Sequence, residues 1–142
     1  MGEQLKRPLD YKWKGKTILV VEDTETTTKY FLAAFRKTEA TLLWADNGKK
    51  AIEIVENVDK LDVILMDLHM PVMNGLEATR RINQMKPEIP IIVQTAYVLS
   101  GEEEKSMQAG ADGFMSKPIR LMELMKTVDE YLYRNPKETA RN

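Results

Sequence analysis

Five side chains able to do chemistry stand at the ends of short apolar runs. Glu22 and Asp23 follow the run at 18–21, Asp67 follows 63–66, Thr95 comes just after 91–93, and Lys117 just after 114–115. Three carboxylates gathered at close quarters repel one another, and burial raises their pKa values further. A divalent cation relieves both effects. All-oxygen donors select a hard ion, and few carboxylates with room for water suit Mg²⁺ better than Ca²⁺. A calcium loop would need its ligands in one continuous segment with a terminal Glu, which is absent here. Mg²⁺ beside a lysine and a threonine hydroxyl makes a place for a phosphoryl group, with metal and ammonium neutralising oxygen charge and the hydroxyl donating a hydrogen bond. Neither GxxxxGK[ST] nor GxGxxG occurs, so a nucleotide is not the expected ligand. The phosphoryl group is expected to end on the protein, where a carboxylate can be its nucleophile.

These residues meet only if the runs are parallel strands of one sheet, because ligands of open α/β sheets bind outside the carboxyl ends of the strands. The five runs, at 18–21, 41–45, 63–66, 91–93 and 114–115, alternate with stretches of helical spacing, the pattern of βαβ units. ILVV, VILM and IIV are apolar without alternation, as expected of strands covered on both faces. The second run ends at Ala45 before Asp46, and Gly48 opens a helix. Ser100 with Glu103 reads as a capping box, and Gly110 is placed to end that helix. Leu121, Met125, Val128 and Leu132, widened by Met122 and Leu124, form a stripe that would pack on the sheet. The division expected is a linker or arm at 1–16, one domain at 17–134 and a flexible tail at 135–142. Tyr11 and Trp13 either pack back on the body or mark a junction with a neighbour.

Composition narrows the classes. The 142 residues carry 21 Lys plus Arg against 22 Asp plus Glu, a net charge of −1, which gives no electrostatic argument for nucleic acid or an anionic membrane. A hydrophobic content of 43% argues against disorder of the whole chain. With no cysteine, disulfides, thiolate zinc sites and cysteine nucleophiles are excluded. With one histidine, His69, a two-histidine metal site within the chain is excluded as well. No apolar run approaches the roughly 20 residues of a membrane span, and a cytoplasmic location is expected.

Taken singly, each site residue has a plain structural reading. Asp23 could cap a helix starting near Thr24, Asp67 could serve the Pro-Gly loop after it, and Met66, Met70 and Met73 read as packing beneath that loop. Together, ILVVED (18–23), ILMDLHMPVMNGLEATRRI (64–82), QTAY (94–97) and AGADGFMSKPI (109–119) resemble the receiver domain of two-component response regulators, over about residues 16–133. The resemblance implies a flavodoxin-like doubly wound parallel sheet of order 2-1-3-4-5. It also implies a role for each matching residue. Asp67 would be the phosphoacceptor, Asp23 a direct Mg²⁺ ligand, Glu22 a ligand acting through water, and the His69 carbonyl the last protein ligand. Thr95 would be the switch hydroxyl, Lys117 the lysine pairing with the phosphoryl group, Phe114 the aromatic switch, and Pro118 a proline preceded by a cis bond.

The implied function is to accept a phosphoryl group from a phosphohistidine, on a histidine kinase or histidine phosphotransfer domain, and to switch a signalling face. This is acceptor behaviour and not conventional enzyme turnover. WKGKTILVVED, ATRRI and the 109–119 segment look most like receivers of hybrid histidine kinases, so the chain is either a stand-alone regulator or part of such a kinase. The charged set that pairs DNA-binding receivers is not seen, so a monomer or weak dimer is expected. Two alternatives stand beside this reading: a receiver-like interaction module that works without phosphorylation, and an aspartate-nucleophile phosphatase, although the second acid usual two positions past that nucleophile is His69 here. By the same resemblance, His69 and Tyr97 flank the approach of hydrolytic water, and a long-lived phosphoryl group is expected.

Overall fold

The computed structural model describes residues 7, 10–96 and 101–134. Five strands, β1 (Thr17–Val21), β2 (Thr41–Ala45), β3 (Val63–Asp67), β4 (Ile91–Thr95) and β5 (Gly113–Ser116), alternate with five helices. The helices are α1 (Glu25–Phe35), α2 (Gly48–Asn57), α3 (Gly75–Met85), α4 (Glu102–Ala109) and α5 (Leu121–Arg134). All strand pairs are parallel and the order is β2-β1-β3-β4-β5. The expected order is therefore the observed one.

The strand sequences explain that arrangement. Every residue of β3 and β4 is buried, so unbroken apolar runs are what a sheet sandwiched between helices requires. One face packs Ile18, Val20, Leu65 and Ile92 against Phe31 and Phe35 of α1 and Leu124, Met125 and Val128 of α5. The other packs Leu19, Val21, Ile64, Met66 and Val93 against Ala51 and Val55 of α2 and Ala78 and Ile82 of α3. Each fully buried aliphatic side chain contributes on the order of 1.5–3 kcal/mol.

Helix ends follow local chemistry. Asn47 and Asn74 cap α2 and α3 by accepting from the amides of Lys50 and Glu77, at 2.9 and 3.1 Å; such caps contribute about 1 kcal/mol each. Gly110 ends α4 at φ 111°, a left-handed position that glycine adopts without steric penalty. The helix starts one residue after Gly101; Ser100, half of the expected capping box, lies outside the described residues.

Two findings reshape the expected edges. Trp13 is fully buried and Tyr11 nearly so. Trp13 lies edge-on to Phe35 at 5.4 Å, its indole N–H donates to Asp129 of α5 at 2.9 Å, and its amide donates to the Thr38 carbonyl at 2.6 Å. Of the two options for these aromatics, packing back on the body is the one observed. The α5 stripe needs a correction. Leu121 and Met122 are exposed, and the packed face consists of Leu124, Met125, Val128 and Leu132. Helical spacing alone puts Leu121 and Met122 on or beside the apolar stripe, but the packed part of the stripe begins at Leu124, one turn into the helix. Among the described residues, no helix is long and apolar enough to cross a membrane.

Candidate functional site

The parallel sheet brings the strand ends to one rim. Glu22, Asp23 and Asp67 each place a carboxylate oxygen within 4.8 Å of the others. Glu22 and Asp67 are buried and Asp23 is exposed. Lys117, carried past the end of β5, reaches back between the buried pair: its ammonium lies 3.3 Å from Glu22 Oε1 and 3.4 Å from Asp67 Oδ1. The peptide bond that follows it, to Pro118, is cis.

Local structure fixes each of these groups. Asp67 ends β3 in register with Gln94 of β4. The chain then turns so that the His69 amide donates to Asp67 Oδ1 at 3.3 Å. Gly75 begins α3 directly against this turn, and a Cβ there would collide with the Asp67 carbonyl. Met66 is buried below the loop, with Met70 and Met73 packed against the same cluster, as read from the sequence. Asp23 is not the cap of α1; Thr24 holds the cap position, and its amide donates instead to Glu22 Oε2 at 3.0 Å.

The electrostatics single out Asp67. Burial, and then the neighbouring Glu22 carboxylate, push its pKa from 3.8 up to about 6, against the opposing pull of Lys117 and the His69 amide. The cluster holds three carboxylates and one ammonium, which when all are ionised sum to −2. That surplus, presented by oxygen donors with one exposed member, fits a hard divalent cation. A cleft of about 380 Å³ lined by Glu22, Asp23 and Asp46 adjoins it.

Thr95 is on the same rim and fully buried. Its hydroxyl donates to Glu102 Oε1 at 2.6 Å. The Lys117 amide donates to the Thr95 carbonyl at 2.8 Å, which sets the lysine and the hydroxyl on adjacent strand ends. The His69 ring is half exposed, and its Nε2 lies 2.8 Å from Glu102 Oε2. Phe114 is half-buried against the α2–α3 side of the sheet. Tyr97 lies outside the described residues.

Glu102 is the residue that sequence reasoning missed. It heads a run of three glutamates in the first turn of α4, which reads as helix-dipole compensation. Only its burial sets it apart: Glu102 is 9% exposed, while Glu103 and Glu104 face solvent.

Comparison with known proteins agrees with this geometry. The response regulator receiver domain family matches residues 18–129. Histidine kinase 3 of Arabidopsis thaliana is 29% identical over 88% of this chain, which spans only 14% of that kinase's length. The polar-differentiation response regulator DivK of Brucella anthropi is 31% identical over 82% of this chain and 96% of its own. Among solved structures, the receiver domain of the sensor histidine kinase PA1611 from Pseudomonas aeruginosa has a magnesium ion coordinated in its active site cleft. It superimposes with a TM-score of 0.77 at 32% identity, covering 83% of this chain and 98% of that one. A strand order, an acid cluster and a family match that coincide over the same residues lead to one conclusion: the chain belongs to the response regulator receiver domain family of two-component signal transduction.

Proposed function

We propose that Asp67 accepts a phosphoryl group from a phosphohistidine of a histidine kinase or histidine phosphotransfer domain. The observation that carries this reading is the placement of Asp67, buried against Glu22 and 3.4 Å from the Lys117 ammonium. A carboxylate with so few hydrogen bonds keeps a reactive oxygen, and a pKa of about 6 leaves most of it ionised near pH 7. Asp67 oxygen attacks phosphorus, the P–N bond breaks, and the donor imidazole leaves with the electron pair. The product is an acyl phosphate. Lys117 meets the charge gathering on the phosphoryl oxygens, and its tether at the end of β5 holds it in place. Glu22, Asp23, Asp67 and the His69 carbonyl are the groups that would hold Mg²⁺, which when bound supplies neutralisation of phosphoryl charge.

Thr95 is the group that reads the product. A phosphoryl oxygen offers its hydroxyl an acceptor that the free carboxylate does not, and this differential contact is what shifts the population of states. Phe114, on the next strand, follows the space that Thr95 leaves, so the surface around α4 and β5 reports the phosphorylation. By the resemblance, Tyr97 and His69 correspond to positions flanking the in-line water. Tyr97 is read as shielding the phosphoryl group and His69 as either shielding it or positioning the water, with a long-lived phosphoryl group expected. The same reading goes with a cytoplasmic chain, a monomer or weak dimer, that works within a hybrid kinase or beside one.

Incubation with phosphoramidate, a small phosphodonor, followed by intact mass measurement tests this. One added phosphoryl group in the presence of Mg²⁺, and far less after chelation, is the expected result. No mass gain under any metal condition contradicts it.

A further inference from the structure

Glu102 does something that its neighbours in the acidic turn do not. Its carboxylate is nearly buried and has two partners, one at the end of a strand and one in a loop. Oε1 accepts from the Thr95 hydroxyl at 2.6 Å, and Oε2 lies 2.8 Å from His69 Nε2. One side chain thus ties the end of β4, the loop after Asp67 and the start of α4 together. An ionised carboxylate is acceptor-only, so His69 Nε2 is the donor in its pair.

A threonine hydroxyl has a single proton to donate. While it donates to Glu102, it cannot donate to a phosphoryl oxygen on Asp67. The two acceptors compete for one donor, and the hydrogen bond to Glu102 is short and charge-assisted, which makes it a strong competitor.

We propose that Glu102 is a positioning residue that latches the Thr95 hydroxyl away from the acceptor aspartate, so that phosphoryl recognition by Thr95 requires Glu102, and with it the start of α4, to let go. The proposal rests on the reading that Asp67 is the phosphoacceptor. It extends that reading with a built-in threshold: phosphorylation must first break a contact of the resting state. Release then frees the α4 end from both Thr95 and His69 at once. The movement of α4 follows from a hydrogen-bond exchange at its first residue, and Glu103 and Glu104, facing solvent, take no part in it.

The phosphoryl mimic beryllium trifluoride, with Mg²⁺, tests the latch in the whole chain. Glu102→Ala should bind it roughly tenfold more tightly than the unaltered protein, the scale of losing one charge-assisted competitor. Glu102→Gln, which keeps an acceptor for Thr95 but no charge, should fall between the two. In a Thr95→Val background, Glu102→Ala should change affinity little. Without any ligand, the Thr95 methyl resonance of Glu102→Ala should move toward its position in the mimic-bound unaltered protein. A purely structural Glu102 predicts lower thermal stability and no tightening. A purely repulsive charge predicts equal tightening by Ala and Gln, undiminished in Thr95→Val. Either result overturns the latch, as does a Thr95 methyl that Glu102→Ala leaves in place. Failure of the unaltered protein to bind the mimic at all is a different outcome: it removes the acceptor reading itself, and the latch falls with it.

Discussion

Two aspartates bracket β3, each beside one backbone amide and one lysine ammonium, and they differ in what else surrounds them. Asp62 stands before the strand. It accepts from the Thr17 amide at 2.8 Å and from the Lys60 ammonium at 2.6 Å, while its own amide donates to the Thr17 carbonyl at 2.9 Å. Asp67 ends the strand with one amide at 3.3 Å and an ammonium at 3.4 Å that it shares with Glu22. At the amino end of the sheet, the carboxylate holds its amide and ammonium at 2.8 and 2.6 Å and stitches β1 to β3. At the carboxyl end, the carboxylate is buried beside a second buried acid, Glu22, and its amide and ammonium contacts are longer. The same residue type is thus tied into the sheet at one end of β3 and, at the other, set in an acid cluster with a raised pKa.

The largest expected effect on stability is at Asp67. Its folded-state pKa, about 6, lies above the ordinary 3.8, so the folded state binds the proton more tightly than the unfolded one. The resulting penalty is absent below about pH 4, grows as pH rises toward about 6 and stays constant above it; two units correspond to about 3 kcal/mol. Asp67→Asn should therefore be more stable than the unaltered protein by up to about 3 kcal/mol at pH 7 without metal, and the gain should vanish near pH 4. Denaturant unfolding across that range checks it. Equal pH profiles for the two proteins would erase the contrast between the two aspartates.

Nearly as large is the response to Mg²⁺. A cation held only by the folded state at a hundred times its dissociation constant adds about 2.7 kcal/mol of stability. Asp23→Asn and Asp67→Asn should lose most of this gain and Asp62→Ala should keep it, as thermal melts with and without the ion would show. A retained gain in Asp67→Asn would move the metal away from the acid cluster.

At the other end of the strand, Asp62→Ala leaves the Thr17 amide and Lys60 without this partner. A loss of about 1–3 kcal/mol follows, with phosphoryl uptake unchanged when both proteins are compared well below their melting points. Reduced uptake by the folded variant would show that the two ends are coupled.

The smallest effect probes strain on the reactive side. Val72, in the loop after Asp67, is exposed and sits at φ 69°, a left-handed conformation that β-branched residues avoid. Val72→Gly should gain about 1 kcal/mol or less, since the relief of strain is partly offset by the freedom glycine has when unfolded. A loss of stability in chemical denaturation would mean that the valine side chain contributes packing its exposure does not suggest.

Much of this architecture was legible in the sequence because burial on both faces demands apolar runs through most of β3 and β4, and because strand ends point to where a rim must be. That logic puts Glu22, Asp23, Asp67, Thr95 and Lys117 on one rim, where the structure clusters the three acids with Lys117 and sets Thr95 on the adjacent strand end. Three features were not legible. Leu121 has the spacing of a core residue but is exposed, and spacing carries no information about what a helix's first turn packs against. Trp13 belongs to a segment with neither helical nor strand period; its burial depends on Phe35 and Asp129, far away in sequence. Glu102 is chemically identical to Glu103 and Glu104, and only the position of Thr95, seven residues earlier, selects the one that turns inward.

The most direct test concerns which aspartate carries the phosphoryl group. An acyl phosphate is reduced by borohydride, which converts the aspartate that bore it into homoserine. After phosphorylation with Mg²⁺, borohydride treatment and peptide mapping should find homoserine at position 67 and aspartate at positions 23 and 62, with no conversion anywhere in Asp67→Asn. Homoserine at another position, or equal conversion in Asp67→Asn, would contradict the account.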